Sequence, residues 1–277
     1  MKNLIIRLLT GTVYVGTIIF CVIYNSYTFL ALFMIITILC LREFYRMVNI
    51  PKETKINPYV HGIGGATLFL VFFLYESGIT GRFIFSLYLL YIVGTLIYEL
   101  YANHKNPITH LAYIIFGQCY IALPIAVLNL LAFPDATAHP PEYRWDWIIV
   151  LLLFIWANDS GAYVIGVPFG KHRLWERISP KKSWEGFFGG LAFTVVSACI
   201  FASFYPQISW YHWVTLSVGV AVLSTYGDLV ESLIKRTLEV KDSGYSLPGH
   251  GGFLDRFDSL LLAVYVMLLY VQLFIQN

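Results

Sequence analysis

Charge is what this sequence has least of. Only 12% of its 277 residues are Asp, Glu, Lys or Arg, while 58% are hydrophobic. Soluble domains carry about 25% charged residues, so a water-soluble globule is excluded. The same apolar excess excludes a disordered chain. Cysteine is scarce as well. Cys21, Cys40, Cys119 and Cys199 lie inside apolar stretches without metal-ligand spacing, and no disulfide is expected of them. There is no internal repeat and no low-complexity linker. The first apolar run lacks a convincing small-residue cleavage site, so it is expected to be a retained helix and not a signal peptide. An all-α, polytopic transmembrane helix bundle is what remains.

About 20 helical residues cross a hydrocarbon core of ~30 Å. Nine stretches meet or approach that length: Leu4–Tyr24, Tyr27–Leu41, Pro58–Tyr75, Arg82–Tyr101, His110–Phe133, Trp145–Phe169, Trp184–Tyr205, Trp210–Ile234 and Phe253–Ile275. The second is short, and Asn25-Ser26 leaves room only for a tight hairpin before it. One membrane domain over residues 1–277 is expected, with N-terminal helices in 1–144 and chemistry-bearing helices and loops in 145–277. If the spans alternate, all of the 18 Lys and Arg residues except Arg82 and Arg144 fall on one side. The positive-inside rule makes that side, with the N-terminus, cytoplasmic. Trp145, Trp147, Trp210 and Trp213 are expected as an aromatic belt at the other interface.

Charges near membrane-spanning helices are costly unless paired, metal-bound or facing water, so they are functional candidates. Two constellations stand out. The first joins Asp159 to Gly170-Lys171 and to Ser179-Pro180-Lys181-Lys182-Ser183-Trp184-Glu185. Its lysines either set topology and hold anionic lipid headgroups or, with Ser179 and backbone amides, hold substrate phosphates. Ser183 is placed to cap the following helix, with Glu185 in the first turn. The second constellation holds Asp228, Glu231 and Ser232 on one helical face, then Lys235, Arg236, Lys241, a Gly-rich turn (Gly249-His250-Gly251-Gly252), and Asp255-Arg256-Phe257-Asp258. Asp228, Asp255 and Asp258 suit a hard cation such as magnesium, and Gly251-Gly252 lets backbone approach an anion at a helix start. His250 either contacts phosphate, moves a proton or is structural. His104, His110, His139, His172 and His212 show no ligand spacing and read as loop residues.

Over residues 156–260 the chain resembles the phosphatidate cytidylyltransferases (CDP-diacylglycerol synthases). Ser232, Lys235, Arg236, Lys241, Asp242, Gly244, Leu247, Pro248, His250, Gly251, Gly252, Asp255, Arg256 and Asp258 fall without a gap on that family's signature. Asp159, Ala162, Tyr163, Gly170, Lys171 and Ser179 to Gly186 are family-like too; Ser183 stands where the family often has Thr. The resemblance implies transfer of cytidylyl from CTP to phosphatidate in the bilayer, at the cytoplasmic face of the inner membrane, with electrostatic and not acid–base catalysis. It implies magnesium on Asp228 and Asp255, with Asp258 either a third ligand or an orienter of the metal's water, and a second cation such as potassium. Asp255, Asp258, Arg256 and Lys182 are the expected catalytic residues. Lys171, Ser179, Lys181, Lys235, Arg236, Lys241, His250, Gly251 and Gly252 are the expected substrate contacts. A homodimer is implied as well, although Gly62 and Gly65 fall one residue short of a Gly-x-x-x-Gly spacing. A CTP-dependent polyprenol kinase and a transporter of phosphorylated anions are the competing readings.

Overall fold

A computed structural model describes residues 2–51, 54–135, 141–244, 246 and 251–275, the first eight of them as helical backbone only. Among these residues nine helices follow one another: α1 (Lys2–Tyr24), α2 (Ser26–Val48), α3 (Pro58–Glu76), α4 (Phe85–Tyr101), α5 (Pro107–Ala132), α6 (Asp146–Phe169), α7 (Trp184–Phe204), α8 (Trp210–Thr237) and α9 (Leu254–Phe274). The eight from α2 onward are long and apolar enough to cross a membrane, and α1 contributes the apolar segment Thr10–Tyr24. The protein is an all-α, multi-pass helix bundle. Its one addition to that expectation is a small antiparallel hairpin between α6 and α7. There β1 (Arg173–Trp175) pairs with β2 (Ser179–Ser183), Arg173 opposite Ser183 and Trp175 opposite Ser179.

Local chemistry explains where the helices start and bend. Asn25 alone separates α1 from α2: its side chain accepts from the Thr28 amide at 2.8 Å, and its own amide donates to Thr28 Oγ1 at 3.3 Å. This reciprocal box satisfies two otherwise orphaned donors. The second span is longer than its hydropathy suggests. Its backbone continues past Leu41 to Val48 and carries Arg42, Glu43 and Arg46 as helical residues. α3 opens at an Asn57 cap followed by Pro58, whose missing N–H costs nothing at that position. Within α5 the turn Gln118–Ala122 is a π-helix, next to Pro124, which cannot donate to the regular ladder.

The chain forms two compact units, one of Met1–Trp145 with Thr237–Arg256 and the other of Asp146–Arg236 with Phe257–Asn277. In the first, Phe29, Phe33 and Phe69 pack ring to ring, and a buried polar knot ties three helices together. Gln118 Nε2 donates to the His61 carbonyl at 2.9 Å and to Tyr45 Oη at 3.2 Å, while the Tyr45 hydroxyl donates to the Ile114 carbonyl at 2.8 Å. In the second, Trp147 stacks on Trp213 with ring centres 5.8 Å apart, and Asn158 Nδ2 donates to Ser224 Oγ at 3.0 Å. The expected aromatic belt is thereby corrected. Trp145 and Trp210 are exposed, but Trp147 and Trp213 are core residues.

Candidate active site

In the second unit, α8 and α9 come together backbone to backbone. A Cβ on Gly227 would sit 2.5 Å from the Asp258 carbonyl oxygen, so only glycine permits the approach. That contact sets Asp228, the next residue, beside Asp258. One helical turn on from Asp228, Glu231 is fully buried. Asp228, Glu231 and Asp258 each present a carboxylate oxygen, all within 4.8 Å of one another. Two ammonium groups answer this charge. Lys182 Nζ lies 2.7 Å from Asp228 Oδ2 and donates to the Thr225 carbonyl at 3.3 Å. Lys235 Nζ lies 2.6 Å from Glu231 Oε2. Ser232 Oγ donates to Asp228 Oδ1 at 3.2 Å, and Asp258 Oδ1 accepts from the Ser259 amide at 2.6 Å.

The β-hairpin delivers Lys182. Ser183 caps α7 as its position implies, accepting from the Gly186 amide at 3.1 Å. Glu185 then fastens the other end of the hairpin: it accepts from the Lys171 and His172 amides at 3.1–3.2 Å and from His172 Nδ1 at 2.6 Å. Lys171 and Lys181 are exposed and Ser179 is half-buried. Arg236 Nε donates to the Ile178 carbonyl at 3.4 Å, which ties the end of α8 to the same hairpin. Asp159 lies in the second half of α6 and is exposed.

In the first unit, the segment leading into α9 is clasped by a residue the sequence reading passed over. Glu43 of α2, 3% exposed, accepts from Ser243 Oγ at 3.2 Å, Ser246 Oγ at 2.5 Å and the Leu254 amide at 3.0 Å. Gly252 is pressed so closely here that a Cβ would collide with Ser243 Oγ and the Glu43 carboxylate. Asp255 also serves this segment, accepting from the Ser243 amide at 3.1 Å and the Gly252 amide at 3.0 Å. Gly251 takes φ +83°, a left-handed value suited to glycine. A cleft of about 660 Å³ opens beside the clasp, lined by Arg42, Arg46 and Lys241 among others. Arg256 is exposed. His250, Leu247 and Pro248 lie outside the described residues.

The structure thus brings Asp228 and Asp258 together, adds Glu231 to them, and places Asp255 on backbone amides. Glu231 was visible on the Asp228 face of its helix; its burial against Lys235 was not. The three carboxylates offer oxygen donors of the kind magnesium takes. By class, then, this is a multi-pass membrane protein with a helix-borne carboxylate site served by lysines.

The chain belongs to the cytidylyltransferase family, whose description matches residues 5–274. It is 33% identical over 268 residues to a phosphatidate cytidylyltransferase of Bacillus subtilis, covering 93% of this chain and 94% of that protein. A phosphatidate cytidylyltransferase of Haemophilus influenzae is 39% identical over 165 residues, 58% of this chain and 56% of that protein. One of Mycobacterium bovis is 46% identical over 123 residues, 44% of this chain and 40% of that protein.

Proposed function

We propose that this chain is a phosphatidate cytidylyltransferase, converting CTP and phosphatidate into CDP-diacylglycerol and pyrophosphate. The observation that carries the reading is the meeting of Asp228, Glu231 and Asp258 with Lys182 and Lys235, in a member of this family. A phosphate oxygen of phosphatidate attacks the α-phosphorus of CTP, the bond from that phosphorus to the bridging oxygen breaks, and pyrophosphate leaves. The nucleophile is already ionised at neutral pH, so no dedicated base is required. Catalysis is then positioning plus stabilisation of charge.

Asp228 and Asp258, with Glu231, would hold magnesium, which supplies charge neutralisation to the triphosphate. A second, monovalent cation such as potassium belongs to the same proposal. Lys182 holds Asp228 in place and offers an ammonium group to phosphate. Lys171 and Lys181 stand exposed for the same task. Arg42, Arg46 and Lys241, against Glu43 and Asp242, give the 660 Å³ cleft a cationic excess suited to an anionic headgroup or nucleotide. Glu43 and Asp255 act as positioning residues, holding the Gly251–Gly252 turn. The lysine and arginine distribution supports a cytoplasmic-facing site in the inner membrane, with phosphatidate reaching it from the bilayer. A homodimer is part of this reading; light scattering of the detergent-purified protein tests it.

The decisive experiment supplies purified protein with phosphatidate and with α- or γ-labelled CTP. Label from the α position entering lipid, with magnesium required, supports the transferase. Label from the γ position would make the protein a lipid kinase. Uptake of a phosphorylated solute by proteoliposomes without nucleotide turnover would make it a transporter.

A further inference from the structure

The helix α4 is uncharged along its length except for Glu99, near its C-terminal end. Glu99 is also the one residue of that helix the structure buries, at 6% exposure. An apolar helix that turns its single charge inward has a use for it, because an isolated buried carboxylate is strongly disfavoured. After α4 the chain reverses through Asn103, at φ +50°, and returns His104 to Glu99, with Nδ1 2.8 Å from Oε1. Asn106 and Pro107 then open α5, whose first turn carries His110, 3% exposed. His110 Nδ1 lies 3.0 Å from Glu99 Oε2. The two imidazoles stack with centres 4.1 Å apart and planes 28° from parallel.

Hydrogen bonding accounts for half of this arrangement. His104 satisfies one oxygen of Glu99. Glu99 Oε2 and both nitrogens of His110 are buried yet make no hydrogen bond, even though Nδ1 and Oε2 stand within reach. A proton cannot serve that pair out of line, but a cation between the donors can, because it accepts lone pairs from several directions. One ligand atom from each of Glu99, His104 and His110 lies within 4.8 Å of the others. Two ligands about 2.1 Å from a tetrahedral ion stand roughly 3.4 Å apart, so the contacts of 2.8 and 3.0 Å would open by about half an ångström to admit one.

We propose that Glu99, His104 and His110 form a binding site for one divalent transition ion of the zinc class. Two imidazole nitrogens and one carboxylate are the donors such ions prefer, whereas magnesium and calcium take oxygen. His104 is partly exposed and leaves a side open for water as a fourth ligand. The ion would staple the end of α4 to the start of α5. None of these residues belongs to the Asp228–Glu231–Asp258 cluster, and the proposal does not rest on the transferase reading.

The test uses full-length protein in detergent, made without a polyhistidine tag and stripped with chelator. Cobalt(II) is the probe. With excess magnesium present to fill the carboxylate cluster, wild type should take up about one equivalent with a visible absorption band, displaced by zinc. His110→Ala and Glu99→Gln should weaken uptake by at least about tenfold. His104→Gln, at the partly exposed position and with an amide able to keep the hydrogen bond to Glu99, should do the same with the protein still folded by its heat-aggregation midpoint, and Asp228→Asn should leave the band unchanged. No uptake by folded wild type would overturn the proposal. So would a band that survives His104→Gln or disappears with Asp228→Asn.

Discussion

Two buried glutamates, Glu43 in the first unit and Glu231 in the second, solve the same problem in opposite ways. Glu43 is surrounded by neutral donors, two serine hydroxyls and a backbone amide. Glu231 faces the Lys235 ammonium and shares its space with two more carboxylates. A buried carboxylate met by neutral donors is satisfied, and it fixes a loop. One crowded by other carboxylates is suited to recruit a cation. On the proposed function, the contrast separates residues that hold the machinery from residues that meet the reactants.

The sharpest test of this contrast removes charge from the second unit. Asp258→Asn should lower cytidylyl transfer by about 10³-fold, while the heat-aggregation midpoint in detergent stays within a few degrees of wild type. Chelation of the wild type should do the same, reversed by magnesium. Glu231→Gln should follow with a loss of about 10²-fold and a midpoint unchanged or higher, because it relieves carboxylate crowding. A large drop in its midpoint would place Glu231 with Glu43.

Glu43→Ala should behave differently. It orphans three donors, each at a cost of about 1–3 kcal/mol, so the midpoint should fall by at least about 6 °C together with activity. Glu43→Gln should recover much of the midpoint. Gly252→Ala should lower kcat by about tenfold through the collision with Ser243 and Glu43, and should lower the midpoint less than Glu43→Ala. The smallest effect should come from Lys181→Ala, exposed on β2: a rise of a few-fold in KM for CTP at unchanged kcat.

Much of the fold could be read from sequence because a bilayer forces it. Every backbone polar group must be satisfied within the span, so an apolar run of sufficient length is a helix. The nine expected stretches fall on the nine helices with ends displaced by a few residues. The second is the exception. Hydropathy ends at Leu41, but nothing in Arg42-Glu43-Phe44-Tyr45-Arg46 breaks a helix, and the backbone runs on. The hairpin of β1 and β2 went unread because strands of three and five residues carry too little periodicity.

The candidate site was partly legible. Asp228 and Asp258 sit on helices whose register spacing exposes, and Ser183 announces itself as a cap. Glu43 could not be read this way, because its partner Ser243 is 200 positions away. Glu99, His104 and His110 escaped for a related reason. Their spacing has no helical period, since a turn between two helices brings them together, and the histidines were read as loop residues.

The one-residue break at Asn25 has a consequence for how the protein is made. Thr28 Oγ1 donates to the Cys21 carbonyl at 2.7 Å, so the end of α1 is already bonded to the start of α2. With no slack between them, wherever the first helix comes to rest in the bilayer limits where the second can begin.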